Sequence, residues 1–209
     1  MQILILVLLW LAPAALLLAQ PWHFEQGVDV AGAGPGATHK LFHHLDSSGR
    51  RNIAASSQGV AITWEDDRDD TPRIYLAFKP MNQSSFKHQV QVSGEGEAFE
   101  PSLVAMANDR FVVAWEENGH VLARVVDFED ALLPGPSFRL SKGSGAQVSL
   151  AQDKDRVIAV WSERMGRYGQ IQSWRWSINA DGALEPVIGC PVDPVPPTDE
   201  QLYPSAVMA

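Results

Sequence analysis

The sequence predicts an all-β fold, a partial β-propeller of four-stranded antiparallel blades, with three blades and the first strand of a fourth behind a signal peptide. Three observations carry this prediction. An apolar run closed by a tryptophan occurs three times: GVAITWED reaches Trp64, RFVVAWEE reaches Trp115 and RVIAVWSE reaches Trp161. Those tryptophans stand 51 and then 46 positions apart, which is the period of a four-stranded blade rather than of a helical repeat. An aliphatic-alanine pair precedes each at a common offset, as Ile53-Ala54, Val104-Ala105 and Leu150-Ala151. No useful length of the repeats has the roughly 3.6-residue apolar period of a helix.

At the front, residues 3–18 are apolar almost without interruption, broken by Pro13 and followed by Ala19 and Gln20. This pattern is that of a secretory signal peptide over residues 1–19, cut after Ala19, which places the protein outside the cell or in the periplasm. Met1-Gln2 brings no Lys or Arg, so an uncleaved membrane anchor is the other reading, although the run is short of the ~20 residues a spanning helix needs. Residues 20–48 are a lead segment in which FEQGVDV alternates as one strand and AGAGPGA is a loop. His39 and His43 would share a face of a helical turn, a spacing zinc uses, but no further ligand stands near them or His44 at a matching interval. They are expected to be ordinary histidines.

The blades span about 50–96, 99–142 and 145–190, and the next begins at 203. In the second and clearest copy the strands are PSLVAM, RFVVAWEE, VLARVVD and SFRLS, with turns at Asn108-Asp109 and Asn118-Gly119. Asn-Gly between alternating apolar runs is a hairpin signal, because the type I′ turn of a two-residue hairpin requires positive φ at both positions. The first copy supplies NIAAS, VAITW, RIYLAF and HQVQVS; the third supplies QVSLA, RVIAVW, QIQSWRW and PVIG. One blade buries both faces only against its neighbours, so Trp64, Trp115 and Trp161 are expected as core between blades, each contributing on the order of a few kcal/mol. Trp174 and Trp176 alternate with Arg175 and share a face of their own. YPSAVMA repeats EPSLVAM, pairing Pro204 with Pro101, Ser205 with Ser102 and Val207 with Val104. The run from Cys190 to Pro197 is an extended connection between blades. Propellers have roughly four to eight blades, so the expectation is either the N-terminal part of a longer polypeptide or a ring closed by association.

Composition fits a soluble globular protein, at 209 residues with 45% hydrophobic and 20% charged residues. A net charge of −9 disfavours nucleic acid and anionic membranes as partners. Cys190 is the one cysteine, so no intramolecular disulfide forms, and it is read as a small apolar residue.

The segments WEDDRDDTPRIYLAF, PSLVAM, RFVVAWEE and SINADGALEP resemble the sialidase-like β-propeller superfamily, which includes BNR-repeat proteins, from about Asn52 onward. That family's Asp-box turn is matched by Ser177, Asn179, Asp181 and Gly182, with one residue extra and no aromatic afterwards. Sialidases also carry an FRIP-like arginine segment, which is absent, and an arginine triad and Tyr/Glu nucleophile pair, which would fall in later blades. The resemblance therefore implies the fold and not the activity.

The loops joining second to third strands, residues 65–73, 116–120 and 162–169, open on the same face as the connections between blades, the usual place for a site. In the first loop Glu65, Asp66, Asp67, Asp69 and Asp70 surround Arg68. Such a cluster suits Ca²⁺ through several carboxylate oxygens, or a general acid for glycoside cleavage, or simply a solvated hairpin loop. The second loop offers Glu116 and Glu117, and the third Glu163, Arg164, Arg167 and Tyr168. Arginine forks suit carboxylates through two parallel hydrogen bonds; plain surface decoration is the alternative. Asn82-Gln83-Ser84 fits the N-glycosylation pattern. No phosphate-cradling glycine loop, CxxC, HExxH or GxSxG is present. The expected function is a secreted or periplasmic binding module for a carbohydrate or another protein, with Ca²⁺ the one cofactor its loops suit. The alternatives are a sialidase-type hydrolase whose catalytic residues lie beyond Ala209, and a structural subunit that completes a ring.

Overall fold

The computed structural model of the protein describes residues 51–86, 88–107, 110–128, 132–153, 155–179, 181, 183–187 and 202–207. The signal peptide, the FEQGVDV strand, His39, His43, His44, the Asn108-Asp109 turn, Gly182 and the run from Cys190 to Pro197 lie outside the described residues. Among the described residues no helix is long and apolar enough to cross a membrane.

Among the described residues, twelve strands form three four-stranded sheets. The first contains β1 (Ile53–Ala55), β2 (Gly59–Asp66), β3 (Arg73–Pro80) and β4 (His88–Gln91). The second contains β5 (Ala98–Ala105), β6 (Arg110–Glu117), β7 (His120–Phe128) and β8 (Leu132–Arg139). The third contains β9 (Gly145–Asp153), β10 (Arg156–Met165), β11 (Tyr168–Ile178) and β12 (Leu184–Pro186). Sequence neighbours pair antiparallel in each, so every sheet is a meander.

Turn chemistry sets the hairpins. Asn118 and Gly119, at φ 53° and 73°, close the Glu117–His120 pair, the two positive values that Asn-Gly supplies most readily. Between Met165 and Tyr168 only Gly166 is positive, at 65°, which is the demand of a turn with glycine at its first central position. β8 tolerates Pro134 and Pro136 because it is an edge strand, and a register shift between Arg124 and Val126 admits them.

Three strand details differ from the sequence reading, the first being that β8 runs Leu132–Arg139 where SFRLS places it at 137–141. The last strand of the third sheet is Leu184–Pro186 rather than PVIG. The Asn179 carboxamide oxygen accepts from the N–H groups of Asp181 and Ala183, curling the chain so that pairing resumes early, with Leu184 opposite Ile178. The recurring pair in the second sheet is Leu103-Val104, not Val104-Ala105. Leu103 lies opposite Val113 as Ile53 lies opposite Ile62 and Leu150 opposite Ala159, because the β5–β6 connection is one residue longer.

The sheets pack face to face in chain order. Ile74, Leu76 and Phe78 meet Phe111, Val113 and Trp115 between the first and second. The Phe78 ring there lies 5.5 Å from Phe111 and 4.1 Å from Phe128, centre to centre. Between the second and third, Val112, Ala114 and Ala123 meet Leu150, Ala159 and Trp161. Side chains alternate across a strand, so the middle sheet is buried on both faces while β2 alternates buried and half-buried residues. Each tryptophan faces the preceding sheet. Trp115 and Trp161 are therefore buried, whereas Trp64 points away from the second sheet, is half-buried and stacks on Tyr75 at 6.0 Å. The core role expected of all three holds for two.

First strands are stitched to one another by an N–H at a recurring position, donated to a carbonyl at the first step and to a serine Oγ at the next two. Leu103 N–H donates to the Arg51 carbonyl at 2.6 Å, Leu150 N–H to Ser102 Oγ at 3.0 Å and Ala206 N–H to Ser149 Oγ at 3.2 Å. Glu100, Gln147 and Tyr203, each two residues before a serine, have φ values of 54°, 61° and 56°. Residues 202–207 thus lie on β9 as β9 lies on β5, without joining a ladder.

Candidate functional site

Each repeat tryptophan is followed two residues later by an acid on the same face, so its indole N–H meets a carboxylate. Trp64 donates to Asp66 at 3.1 Å, Trp115 to Glu117 at 2.8 Å and Trp161 to Glu163 at 2.9 Å. Glu117 Oε2 also accepts from the Gly94 N–H at 3.0 Å and Oε1 from the Gly96 N–H at 3.2 Å, and Glu163 accepts the N–H of Gly143. These two buried carboxylates clamp the connection arriving from the sheet before. A Cβ at residue 94 would stand 2.5 Å from Glu117 Oε1, so any larger residue there would push the carboxylate off its donors.

Asp66 turns to its own loop instead, accepting from the Arg68 N–H at 2.9 Å and the Arg68 guanidinium at 2.5 Å. Burial raises the Asp66 carboxyl, but the bonds from Arg68 and Trp64 outweigh it and hold the group below the ordinary aspartate value. The bond to Asp66 raises Arg68, whose guanidinium lies 4.2 Å from the centre of the Tyr75 ring, and burial pushes the Tyr75 phenol up. Glu65 and Glu116 accept the N–H groups of Glu100 and Gln147, the two left-handed residues opening the next sheet. Five candidate carboxylates therefore already hold main-chain or indole donors.

The rest of the acidic loop does not converge. Asp69 meets the Tyr75 hydroxyl at 3.5 Å, Asp70 N–H closes a turn on the Asp67 carbonyl at 2.8 Å, and Asp69 and Asp70 are exposed. Among the described residues no group of three or more His, Cys, Asp or Glu is placed to hold a metal ion. Arg167 is exposed and lies over the Tyr168 ring at 5.5 Å, at the tip of the β10–β11 hairpin.

What the fold does build is a cleft of about 910 Å³ between the second and third sheets, lined by Arg139, Lys142, Arg164, Met165, Trp174 and Trp176 among others. Its size falls within the roughly 300–1,000 Å³ of ligand cavities. Trp174 and Trp176 project from one face of β11, 6.4 Å apart, and Trp161 stands 6.1 Å from Trp176. Lys142 Nζ lies 5.7 Å from the Trp174 ring centre. The facing wall is fixed by its own bonds. Arg139 donates to the Ser141 and Lys142 carbonyls at 2.8 and 2.6 Å, Val121 N–H to Ser141 Oγ at 3.0 Å, and His120 Nδ1 bonds the Gly143 carbonyl at 2.9 Å. Glu163 also lines the cleft, with its oxygens on Trp161 and Gly143.

Between the first and second sheets the matching space is filled differently. There Arg124, opposite Val113 as Trp174 is opposite Ala159, sits 5.9 Å from the Trp115 ring. Burial lowers its pKa, partly offset by Glu117. Sequence reasoning reached Glu163 and Arg164 of the cleft and the shared face of Trp174 and Trp176. It missed Arg139, Lys142 and Met165: the first two are signalled only by the pair of basic residues in RLSK beside the expected inter-sheet connection, and Met165 by nothing in the sequence.

No protein-family model matches the chain, and no curated protein matches it either.

Proposed function

We propose that the chain is a β-propeller of sialidase-like type that binds a ligand in the cleft between its second and third sheets, after export through its N-terminal segment. The repeated stitching of first strands supports the propeller: a left-handed residue recurs in the second and third sheets and at Tyr203, and the N–H to serine Oγ bond that ties β9 to β5 is repeated from Ala206 to β9. A closed ring follows if that step repeats.

One observation carries binding over turnover. The cleft's carboxylate, Glu163, is buried and already accepts the Trp161 indole and the Gly143 N–H. A general acid or base has to reach the reacting proton, and this group is committed elsewhere. The test is equilibrium titration of peptide and glycan panels against the exported protein and its Trp174→Ala variant. A ligand whose affinity falls in the variant, with no turnover of it, is expected. Hydrolysis of a fluorogenic sialoside, abolished by Asp66→Ala with Asp67→Ala, would contradict the reading. N-terminal sequencing of secreted protein beginning at Gln20 checks export.

A further inference from the structure

Resting on the binding reading, we propose that the cleft takes an acidic peptide segment, one that sets an aromatic or aliphatic side chain on Trp174 while its carboxylates meet Arg139, Lys142 and Arg164. Charge complementarity is the first ground. The chain carries −9 overall, yet the cations Arg139, Lys142 and Arg164 outnumber the one carboxylate in the lining of this cleft, Glu163, whose oxygens accept from Trp161 and Gly143. An anion is drawn to such a local reversal of sign, and the apolar wall behind it lowers screening of the attraction.

Size and surface narrow the class. A volume near 910 Å³ is far larger than a simple ion requires and accommodates several residues. Trp174 is half-buried, leaving part of its ring as a platform, and Met165 at the lip is 53% exposed, an adaptable side chain suited to moulding around a neighbour. The bonds that pin residues 139–143 mean that one wall is already ordered, so association loses little entropy there. Recognition runs through side chains rather than strand addition. On the adjoining edge strand β8, Pro134 and Pro136 lack the N–H groups that an added strand would pair with.

Fluorescence anisotropy with labelled eight-residue peptides tests this: one set carries Asp or Glu around a central Trp or Leu, a second replaces the acids by Lys, and a third replaces the central residue by Gly. The acidic, apolar-centred set should bind. Its affinity should fall about tenfold or more in Trp174→Ala and in the exposed-site variant Lys142→Glu, and should weaken as salt rises. Lys142→Glu guards against a folding defect, and each variant's thermal transition is recorded. Equal binding of the lysine set, or unchanged affinity in both variants, overturns the proposal. An acidic oligosaccharide or a single-stranded oligonucleotide binding in place of the peptides, with loss in Trp174→Ala, overturns the peptide class and leaves the binding site standing. If no ligand of any class responds to Trp174→Ala, both fall.

Discussion

At the residue scale, the acid two positions after each tryptophan decides how the sheets are joined. Three N–H donors converge on Glu117, from Trp115, Gly94 and Gly96, and a carboxylate is the side chain that only accepts. Glu117→Ala leaves those donors buried without a partner and should cost about 3 kcal/mol or more, while Glu117→Gln, which points an NH₂ at another donor, should cost about 1–2 kcal/mol. Urea unfolding with an unchanged slope measures both; a loss under about 1 kcal/mol for the alanine variant would contradict the clamp. Asp66 gives a pH dependence. Its folded pKa lies below the unfolded value of about 3.9, so its contribution is fully present above that value and is lost as pH falls through the lower folded one. Across that acid window the unfolded chain binds more protons, and stability rises with pH. Asp66→Asn should flatten this slope in melts between about pH 4 and 2; an unaltered slope would mean that Arg68 and Trp64 do not hold the carboxylate.

At the scale of elements, much was legible in the sequence. Alternating apolar runs located every strand of the first two sheets except β8, of which SFRLS caught only residues 137–139, because an antiparallel meander writes its period of two directly into the chain. Asn118-Gly119 fixed its hairpin for the same local reason. A Cβ on Gly119 would meet nothing closer than Ser144 Oγ at 3.9 Å, so Gly119→Ala isolates backbone strain at φ 73°. It should cost about 1 kcal/mol without changing ligand binding, and a neutral result in thermal or urea unfolding would contradict the turn geometry. The extra residue between β5 and β6, the early start of β12 and the outward Trp64 were not legible. Each depends on register or on which sheet lies opposite, and those are set by contacts far apart in sequence. The site suffered most from this. A run of carboxylates reads as a ligand cluster in one dimension, yet the fold gives Glu65, Asp66, Glu116, Glu117 and Glu163 to N–H groups of the chain itself. Lys142 and Trp174 meet only through the packing of two sheets.

At the scale of the whole molecule, the three sheets lie in series, each covering the tryptophan of the next. This explains why β6 is apolar on both faces and why Trp64 is the half-buried member. The cleft and its proposed ligand both depend on that stacking. Phe78 reports on it most directly, because it belongs to the first sheet while its neighbours Phe111 and Phe128 belong to the second. A nuclear Overhauser spectrum of protein labelled only at phenylalanine should give ring-to-ring cross-peaks from Phe78 to both, assigned by Phe111→Leu and Phe128→Leu. Absence of both in folded protein would contradict the packing of successive sheets on which everything else rests.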